Sequence, residues 1–114
     1  MFNPEEFWQL ARELVRNVDT SEARCRTAAS RAYYAFFLTA RGRLGIHLVQ
    51  NASDHGRVLF ELRRRGRHRL ADALASLRRL REQADYDLTT VVERDNVLEL
   101  LEDVEPDYQS AKRL

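Results

Sequence analysis

The apolar positions of this chain recur at intervals of three and four residues, the spacing of helices that bury one face. The longest such stretch runs from Ser21 to Leu44, and its helix is expected to end near Gly42 to Gly45. Ser21 is a candidate N-cap. The apolar face consists mostly of small residues, so another helix can approach closely: Cys25, Ala28, Ala29, Ala32, Phe36 and Ala40.

An amphipathic helix is predicted before this stretch. Asn3 and Pro4 are typical of a helix start, because Asn caps free backbone N–H groups and Pro fits the first turn. Trp8 lies at the edge of the apolar stripe, where it could cover the core or a partner. The stripe itself consists of Phe7, Leu10, Ala11, Leu14, Val15 and Val18.

A loop from His47 to Ser53 is predicted to precede a third helix. Ser53 and Asp54 are its candidate caps. Gly66 follows three arginines and is typical of a helix end. One side of this helix carries His55, Val58, Leu59 and Leu62.

The remaining sequence predicts two more helices. Thr89 or Thr90 is the expected cap of the fifth, and Pro106 predicts a kink or a new short segment within it. No stretch alternates with period two, so we expect an all-α fold, an antiparallel bundle of about five helices in one domain over residues 1–114. The two apolar faces are Leu70, Ala73, Leu74, Leu77 and Ala84, and then Val97, Leu101, Val104, Tyr108 and Ala111.

The composition fits a soluble helical protein. The 114 residues are enough for one core, and 32% of them are charged with a net charge of +1. The sequence has no apolar run that spans a bilayer and no secretory signal pattern, so we expect no membrane contact. The single cysteine, Cys25, falls on an apolar face, which favours a cytoplasmic protein.

The charges are unevenly distributed. Nine arginines lie between Arg57 and Arg81 against Glu61 and Asp72, whereas Glu82 to Asp107 contains ten acids against Arg94. The basic block suggests a non-specific nucleic-acid binder whose affinity falls steeply with salt. The other interpretation is that both blocks are solvated helix faces paired within the fold.

A polar and basic line with one aromatic ring runs beside the small-residue face of the long helix: Arg24, Thr27, Arg31, Tyr34 and Arg41. In the fourth helix, Arg81 stands on the buried side, where a guanidinium needs a partner. Asp85 lies one turn later and offers an ion pair that would only stabilise the helix packing. The alternative is that Arg81 and Tyr86 converge with Arg31 and Tyr34 on one phosphate-binding pocket.

Three pieces of sequence follow one another along the chain. They are Ser30-Arg31-Ala32-Tyr33-Tyr34-Ala35-Phe36-Phe37, Ser53 with His55, and Arg81 with Ala84-Asp85-Tyr86. In this order and at this spacing they resemble the short prokaryotic HEPN-domain proteins. The resemblance covers about Ser21 to Leu101, which is most of the chain.

The resemblance implies an antiparallel helical bundle that forms a homodimer. Such proteins are often encoded beside a minimal nucleotidyltransferase, and the two act as toxin and antitoxin. Active members cut RNA without a metal, using an Arg to stabilise charge on the phosphate and a His about one turn later to move protons. In some pairs the nucleotidyltransferase silences the toxin by attaching nucleotide to a nearby Tyr. No cofactor is expected, the expected ligand is RNA or nucleotide, and the expected partner is a nucleotidyltransferase-like antitoxin.

The family motif assigns catalytic roles here to Arg79, Arg81, Asp85 and Tyr86, with Tyr86 as the candidate for modification. If Tyr86 takes the family's Tyr position, Arg79 falls at the Arg and Ala84 at the His. Counted from Arg81, Asp85 falls near the His, and a carboxylate is a poor general acid at neutral pH unless its pKa is raised. Hence the alternative is a non-catalytic HEPN module that dimerises and docks a partner protein. The nucleotide- or RNA-binding candidates are Arg31, Tyr34 and His55.

The histidines carry different expectations. His47 and His68 each follow arginines, but a glycine is expected to break the helix in between, so neither is expected to be catalytic. For His55, a capping or packing role is the alternative to binding. The spacing of His, Cys, Asp and Glu predicts no metal site. Tyr33, Phe36 and Phe37 are expected in the core.

Overall fold

A computed structural model of the chain describes residues 1–46 and 54–114. These residues contain helices and no strand, which confirms the predicted all-α bundle. The five helices are α1 (Glu5–Leu14), α2 (Glu22–Leu44), α3 (Asp54–Arg64), α4 (His68–Tyr86) and α5 (Arg94–Ala111). None of the helices in the described ranges is long and apolar enough to cross a membrane.

Helix α2 is the centre of the bundle and contacts each of the other four helices. All the small apolar residues predicted on its face are buried, so neighbouring backbones pack closely against it. Arg26 near its start meets Ala84 near the end of α4, whereas Tyr34 two turns later meets Arg81. The two helices therefore run in opposite directions, and this antiparallel pairing brings the two arginine- and tyrosine-containing stretches together.

The predicted helix ends are mostly confirmed. Asn3 accepts a hydrogen bond from the backbone N–H of Glu5 at 3.0 Å, and Ser21 accepts one from the backbone N–H of Arg24 at 3.2 Å. Gly45 and Gly66 have φ values of 71° and 75°, a left-handed conformation that costs other residues energy. These local signals explain why α1, α2 and α3 begin or end where the sequence predicts.

The predicted cap of α5 is wrong. The helix begins at Arg94, because the hydroxyls of Thr89 and Thr90 donate to the carboxylate of Asp87 at 2.6 and 2.7 Å and build a turn instead. These bonds hold the pKa of Asp87 at about 2. Helix α5 then runs through Pro106 without dividing into two segments.

The predicted stripe of α1 also needs correction. Trp8 is fully buried and stacks on Tyr108 of α5 at 4.2 Å between ring centroids. Leu10 and Val18 are 39% and 72% exposed, because the helix ends at Leu14 and its buried side turns towards Trp8. The predicted loop from 47 to 53, with His47 and the Ser53 cap, lies outside the described residues.

Candidate functional site

Arg81 is the centre of a cluster between α2 and α4. Its Nε lies 2.9 Å from Oδ2 of Asp85, which confirms the ion pair predicted from their spacing. The pair is Coulombic, because the Nε–H does not point at that oxygen and forms no hydrogen bond. The terminal nitrogen donates to the hydroxyls of Tyr34 at 3.0 Å and Tyr86 at 3.3 Å. Arg81 is thus held by one carboxylate and two phenols, with its side chain 18% exposed.

Arg31 lies beside this group. Its guanidinium carbon is 5.2 Å from the ring centroid of Tyr34, and that of Arg81 is 5.3 Å from the same centroid. The ring of Phe7 is 4.7 Å from Arg31 and supports it from α1. Two guanidinium groups therefore share one tyrosine ring, a cation–π arrangement that fixes both heads. We call Arg31, Tyr34, Arg81, Asp85 and Tyr86 the arginine–tyrosine cluster.

Ser30 links the two arginines, a role that the helix periodicity alone does not predict. Its hydroxyl accepts from Arg31 at 3.2 Å and donates to Asp85 at 3.4 Å. Ser30 is buried among alanines and aromatic residues, and a lone polar residue on an apolar helix face is the signal that could have revealed it.

The cluster faces solvent along one side. Tyr86 is 70% exposed, and Arg31 and Tyr34 are half-buried. The two arginines against Asp85 leave one unit of net positive charge. A guanidinium that is partly desolvated and in contact with water is suited to bind an oxyanion.

His55 lies behind the cluster and does not belong to it. Its Nδ1 is 3.0 Å from the hydroxyl of Tyr33, and both residues are buried. Burial, reinforced by repulsion from Arg78, lowers the pKa of His55 to about 4. Burial also raises the pKa of Tyr33 to about 12. Both side chains are therefore neutral at pH 7, and this geometry favours the packing role over the predicted binding role.

Tyr33 connects this pair to the cluster. Its ring centroid is 5.0 Å from that of Tyr34 and 5.8 Å from the guanidinium carbon of Arg81. The prediction that Tyr33 is a core residue is confirmed, yet its ring also forms the back wall of the site.

Two other candidates lie apart from the cluster. Arg79 is exposed and donates to the hydroxyl of Ser76 at 3.1 Å on the same helix. His68 is exposed at the first position of α4. Of the catalytic candidates, the structure therefore brings together Arg81, Asp85 and Tyr86 and leaves Arg79 outside.

Arg26 holds the end of α4 that carries Asp85 and Tyr86. It donates to the carbonyls of Gln83, Ala84, Asp87 and Thr90 at 2.5–3.2 Å. Gln83 and Ala84 lie in the last turn of α4, and Asp87 and Thr90 lie in the turn that follows, where the helix itself supplies few donors. No local sequence signal indicates this role, because the acceptors lie 57 to 64 residues from Arg26.

Glu22 completes this junction. It accepts from the backbone N–H of Val92 at 3.2 Å and pairs with Arg26 at 2.9 Å. The hydrogen bond from Val92, followed by that from Arg26, lowers the pKa of Glu22.

Much of the basic block is paired within the fold. Arg63 bonds Asp72 at 3.1 Å, Arg65 bonds Glu61 at 3.0 Å, and Arg78 bonds Glu82 at 3.0 Å. This pairing supports the interpretation of solvated, internally neutralised helix faces. In the part of the chain that the structure describes, no group of three or more His, Cys, Asp and Glu is placed to hold a metal ion.

Comparison with known proteins finds no matching family model and no matching solved structure. The chain is similar to the uncharacterized protein MJ0628 of Methanocaldococcus jannaschii, with 32% identity over 128 aligned positions. The alignment covers 95% of this chain and 76% of MJ0628. The chain therefore belongs to the same family as MJ0628.

Proposed function

We propose that this member of the MJ0628 family is a HEPN-type protein that binds RNA or nucleotide at the arginine–tyrosine cluster. In this proposal it is the toxin-side half of a pair with a minimal nucleotidyltransferase. The observation that carries the proposal is the convergence of Arg31 and Arg81 on the ring of Tyr34. Two guanidinium groups fixed by one tyrosine can bind phosphate oxygens, and the exposed ring of Tyr86 beside them can stack a base.

Phosphate binding at Arg81 requires a simple exchange of partners. Its terminal nitrogen donates to the hydroxyls of Tyr34 and Tyr86, which are neutral acceptors. A phosphate oxygen is charged and forms the stronger bond, so it can replace either phenol. Asp85 stays paired with the Nε side and keeps the guanidinium oriented.

Tyr86 is the proposed acceptor of a nucleotide. Its side chain is 70% exposed, so an enzyme can reach the hydroxyl. In the transfer, the Tyr86 oxygen attacks the α-phosphorus of a nucleoside triphosphate and forms a P–O bond. The bond to the β-phosphate breaks, pyrophosphate leaves, and the phenol proton passes to a base of the partner enzyme. Arg81, 3.3 Å from this oxygen, would stabilise the negative charge that develops there.

Binding is the primary activity in this proposal, and metal-independent RNA cleavage is secondary. No histidine of the described residues lies in the cluster, and His55 is buried with a pKa of about 4. Arg81 would still stabilise a charged phosphate, but proton transfer would fall to Asp85. A carboxylate accepts a proton less readily than imidazole does at neutral pH, so cleavage would be slow.

The second candidate is a non-catalytic HEPN module that dimerises and docks a partner. This candidate is favoured because Asp85 already pairs with the charge of Arg81, and Ser30 of α2 donates a hydrogen bond to Asp85. Leu88 and Val91 are 88% and 65% exposed beside Tyr86 and would belong to its docking surface.

RNA binding tests the primary proposal. Fluorescence anisotropy with a labelled single-stranded RNA should show that Arg31→Gln and Arg81→Gln each raise Kd by about tenfold, the cost of one charged contact. Arg79→Gln is the matched control, because Arg79 lies on the same helix outside the cluster, and its Kd should not change. Arg81→Lys keeps the positive charge but removes the planar guanidinium, so its Kd should lie between those of wild type and Arg81→Gln. Equal Kd values for wild type and all four variants would refute cluster binding.

RNA cleavage is tested separately with the same RNA. A sensitive nuclease assay should show product with wild type and less with Arg81→Ala and Tyr86→Phe. Equal RNA loss with all three proteins would remove the enzyme claim and favour the docking module.

Nucleotide transfer is tested by co-expression with a neighbouring nucleotidyltransferase gene. Mass spectrometry of the intact protein should show one added nucleotide on wild type and none on Tyr86→Phe. Tyr108→Phe is the control, because Tyr108 is buried against Trp8 away from the cluster, and this variant should still gain the mass. Modification of Tyr86→Phe, or none on wild type, would contradict the assignment.

A further inference from the structure

A cleft of about 530 Å³ opens at the other end of α2, between the starts of α1 and the ends of α2 and α5. None of the arginine–tyrosine cluster residues lines it. Phe2, Leu38 and Tyr108 supply much of its wall, which is mostly apolar. Its volume falls within the range of about 300 to 1,000 Å³ in which proteins bind small molecules.

The cleft carries an excess of positive charge. Arg41, Arg43 and Lys112 line it against a single acid, Glu5, which leaves two positive charges in excess. The Glu5 carboxylate accepts from Lys112 at 3.1 Å and from Tyr108 at 2.6 Å, so its charge is already neutralised. Burial, with the bond to Glu5, raises the pKa of the Tyr108 hydroxyl, which therefore stays a proton donor to that carboxylate.

Among residues 1–46 and 54–114, neither Arg41 nor Arg43 forms an ion pair with an acid, so no described carboxylate neutralises the two guanidinium groups. The guanidinium of Arg41 lies 5.5 Å from the ring of Phe37, which positions it without neutralising it. Gly42 stands between them on the cleft wall, and a Cβ added there would meet nothing within 4 Å.

We propose that this cleft binds a small amphiphilic anion. The apolar body of the ligand lies against Leu38, and its carboxylate or phosphate pairs with Arg41 and Arg43. An uncharged ligand would leave the two guanidinium groups without compensation, and a purely ionic ligand would leave the apolar wall uncovered. Charge and shape together therefore select a ligand that has both parts. This site does not depend on the proposed function of the cluster.

Decanoate, decyl phosphate and decanol are suitable probes. In a ¹H–¹⁵N NMR titration, both anions should saturably shift the backbone amides of residues 38–43. Decanol should bind about tenfold more weakly, since it lacks the charged contact. If decanoate produces no saturable shift in this segment, or if decanol binds as tightly, the proposal is wrong.

Filling the cleft provides the matched test. Gly42→Leu puts a side chain into the space and should weaken decanoate binding at least about tenfold, because most of the apolar contact is blocked. Gly56→Leu is the control, since Gly56 is also an exposed helical glycine with open space around its Cβ position. Both variants gain helix propensity, so both should fold, and a thermal melt checks this. Undiminished decanoate binding by folded Gly42→Leu would overturn the proposal, as would equal loss in both variants.

Discussion

Removal of the Arg26 guanidinium is expected to be the most damaging change at the surface of the bundle. The Arg26→Met substitution keeps an unbranched apolar stem and removes every donor. Four backbone carbonyls at the end of α4 then lose a charged partner. The side chain of Arg26 is only 18% exposed, so water replaces it incompletely.

The magnitude follows from these contacts. One hydrogen bond to a charged group contributes about 1.5 to 3 kcal/mol, but the contributions of four bonds from one guanidinium do not simply add. We therefore expect a loss of about 3 kcal/mol in the free energy of unfolding, and a fall of about 10 °C in Tm for a chain of this length. Arg26→Lys should lose about half as much, because one ammonium cannot reach all four carbonyls.

Urea unfolding followed by circular dichroism measures the loss. Arg24→Met is the matched control: Arg24 lies two residues away on the same helix and is exposed, so its loss should stay within about 0.5 kcal/mol. Amide hydrogen exchange at Asp87 should also accelerate in Arg26→Met, because its bond to Gln83 closes the last turn. If Arg26→Met and Arg24→Met lower the free energy of unfolding equally, Arg26 does not hold the end of α4.

Three further predictions concern His55 and the glycines. The pKa of His55 is lowered from 6.5 to about 4, so the unfolded chain binds more protons between these values, and stability present above pH 6.5 is lost as the pH falls towards 4. Between pH 7 and pH 5, the free energy of unfolding of the wild type, measured by urea titration, should therefore fall by about 2 kcal/mol more than that of His55→Gln. If the two proteins show the same dependence of stability on pH, the lowered pKa of His55 is contradicted. Tyr33→Phe removes the hydroxyl partner of His55 and should lower the free energy of unfolding by about 1 to 2 kcal/mol. An unchanged free energy of unfolding would mean that the imidazole does not depend on this hydroxyl. Gly66→Ala should lower the free energy of unfolding by about 1 kcal/mol, and with it Tm, because φ at this position is 75°. Gly56→Ala lies in a helix and should raise the free energy of unfolding by about 1 kcal/mol.

The sequence predicts the helices well because most of their signals are local. Ser21 and Gly45 mark the ends of α2, and the three-and-four spacing of its alanines defines the buried face. The start of α5 is different, because Asp87 competes for the Thr hydroxyls that would otherwise cap a helix. Propensity alone does not decide between two local hydrogen-bonding partners.

The site divides in the same way. The contact of Arg81 with Asp85 spans one helical turn and follows from spacing. The contact of Arg81 with Tyr34 spans 47 residues and was predicted only as an alternative, by the convergence of two polar helix faces. The role of Arg26 depends on distant partners and has no local signature, so only the three-dimensional structure reveals it. Ser30 stands out locally as a polar residue on an apolar face, but its contact with Asp85 spans 55 residues and also needs the structure.

The central claim is that phosphate binds at the arginine–tyrosine cluster. It is tested most directly by following the Nε–Hε resonances of arginine side chains in ¹H–¹⁵N spectra during a titration with adenosine monophosphate. We expect saturable shifts for Arg31 and Arg81, whereas the resonance of Arg79 should not move. Shifts of equal size at Arg79, or no shift at Arg31 and Arg81, would contradict it.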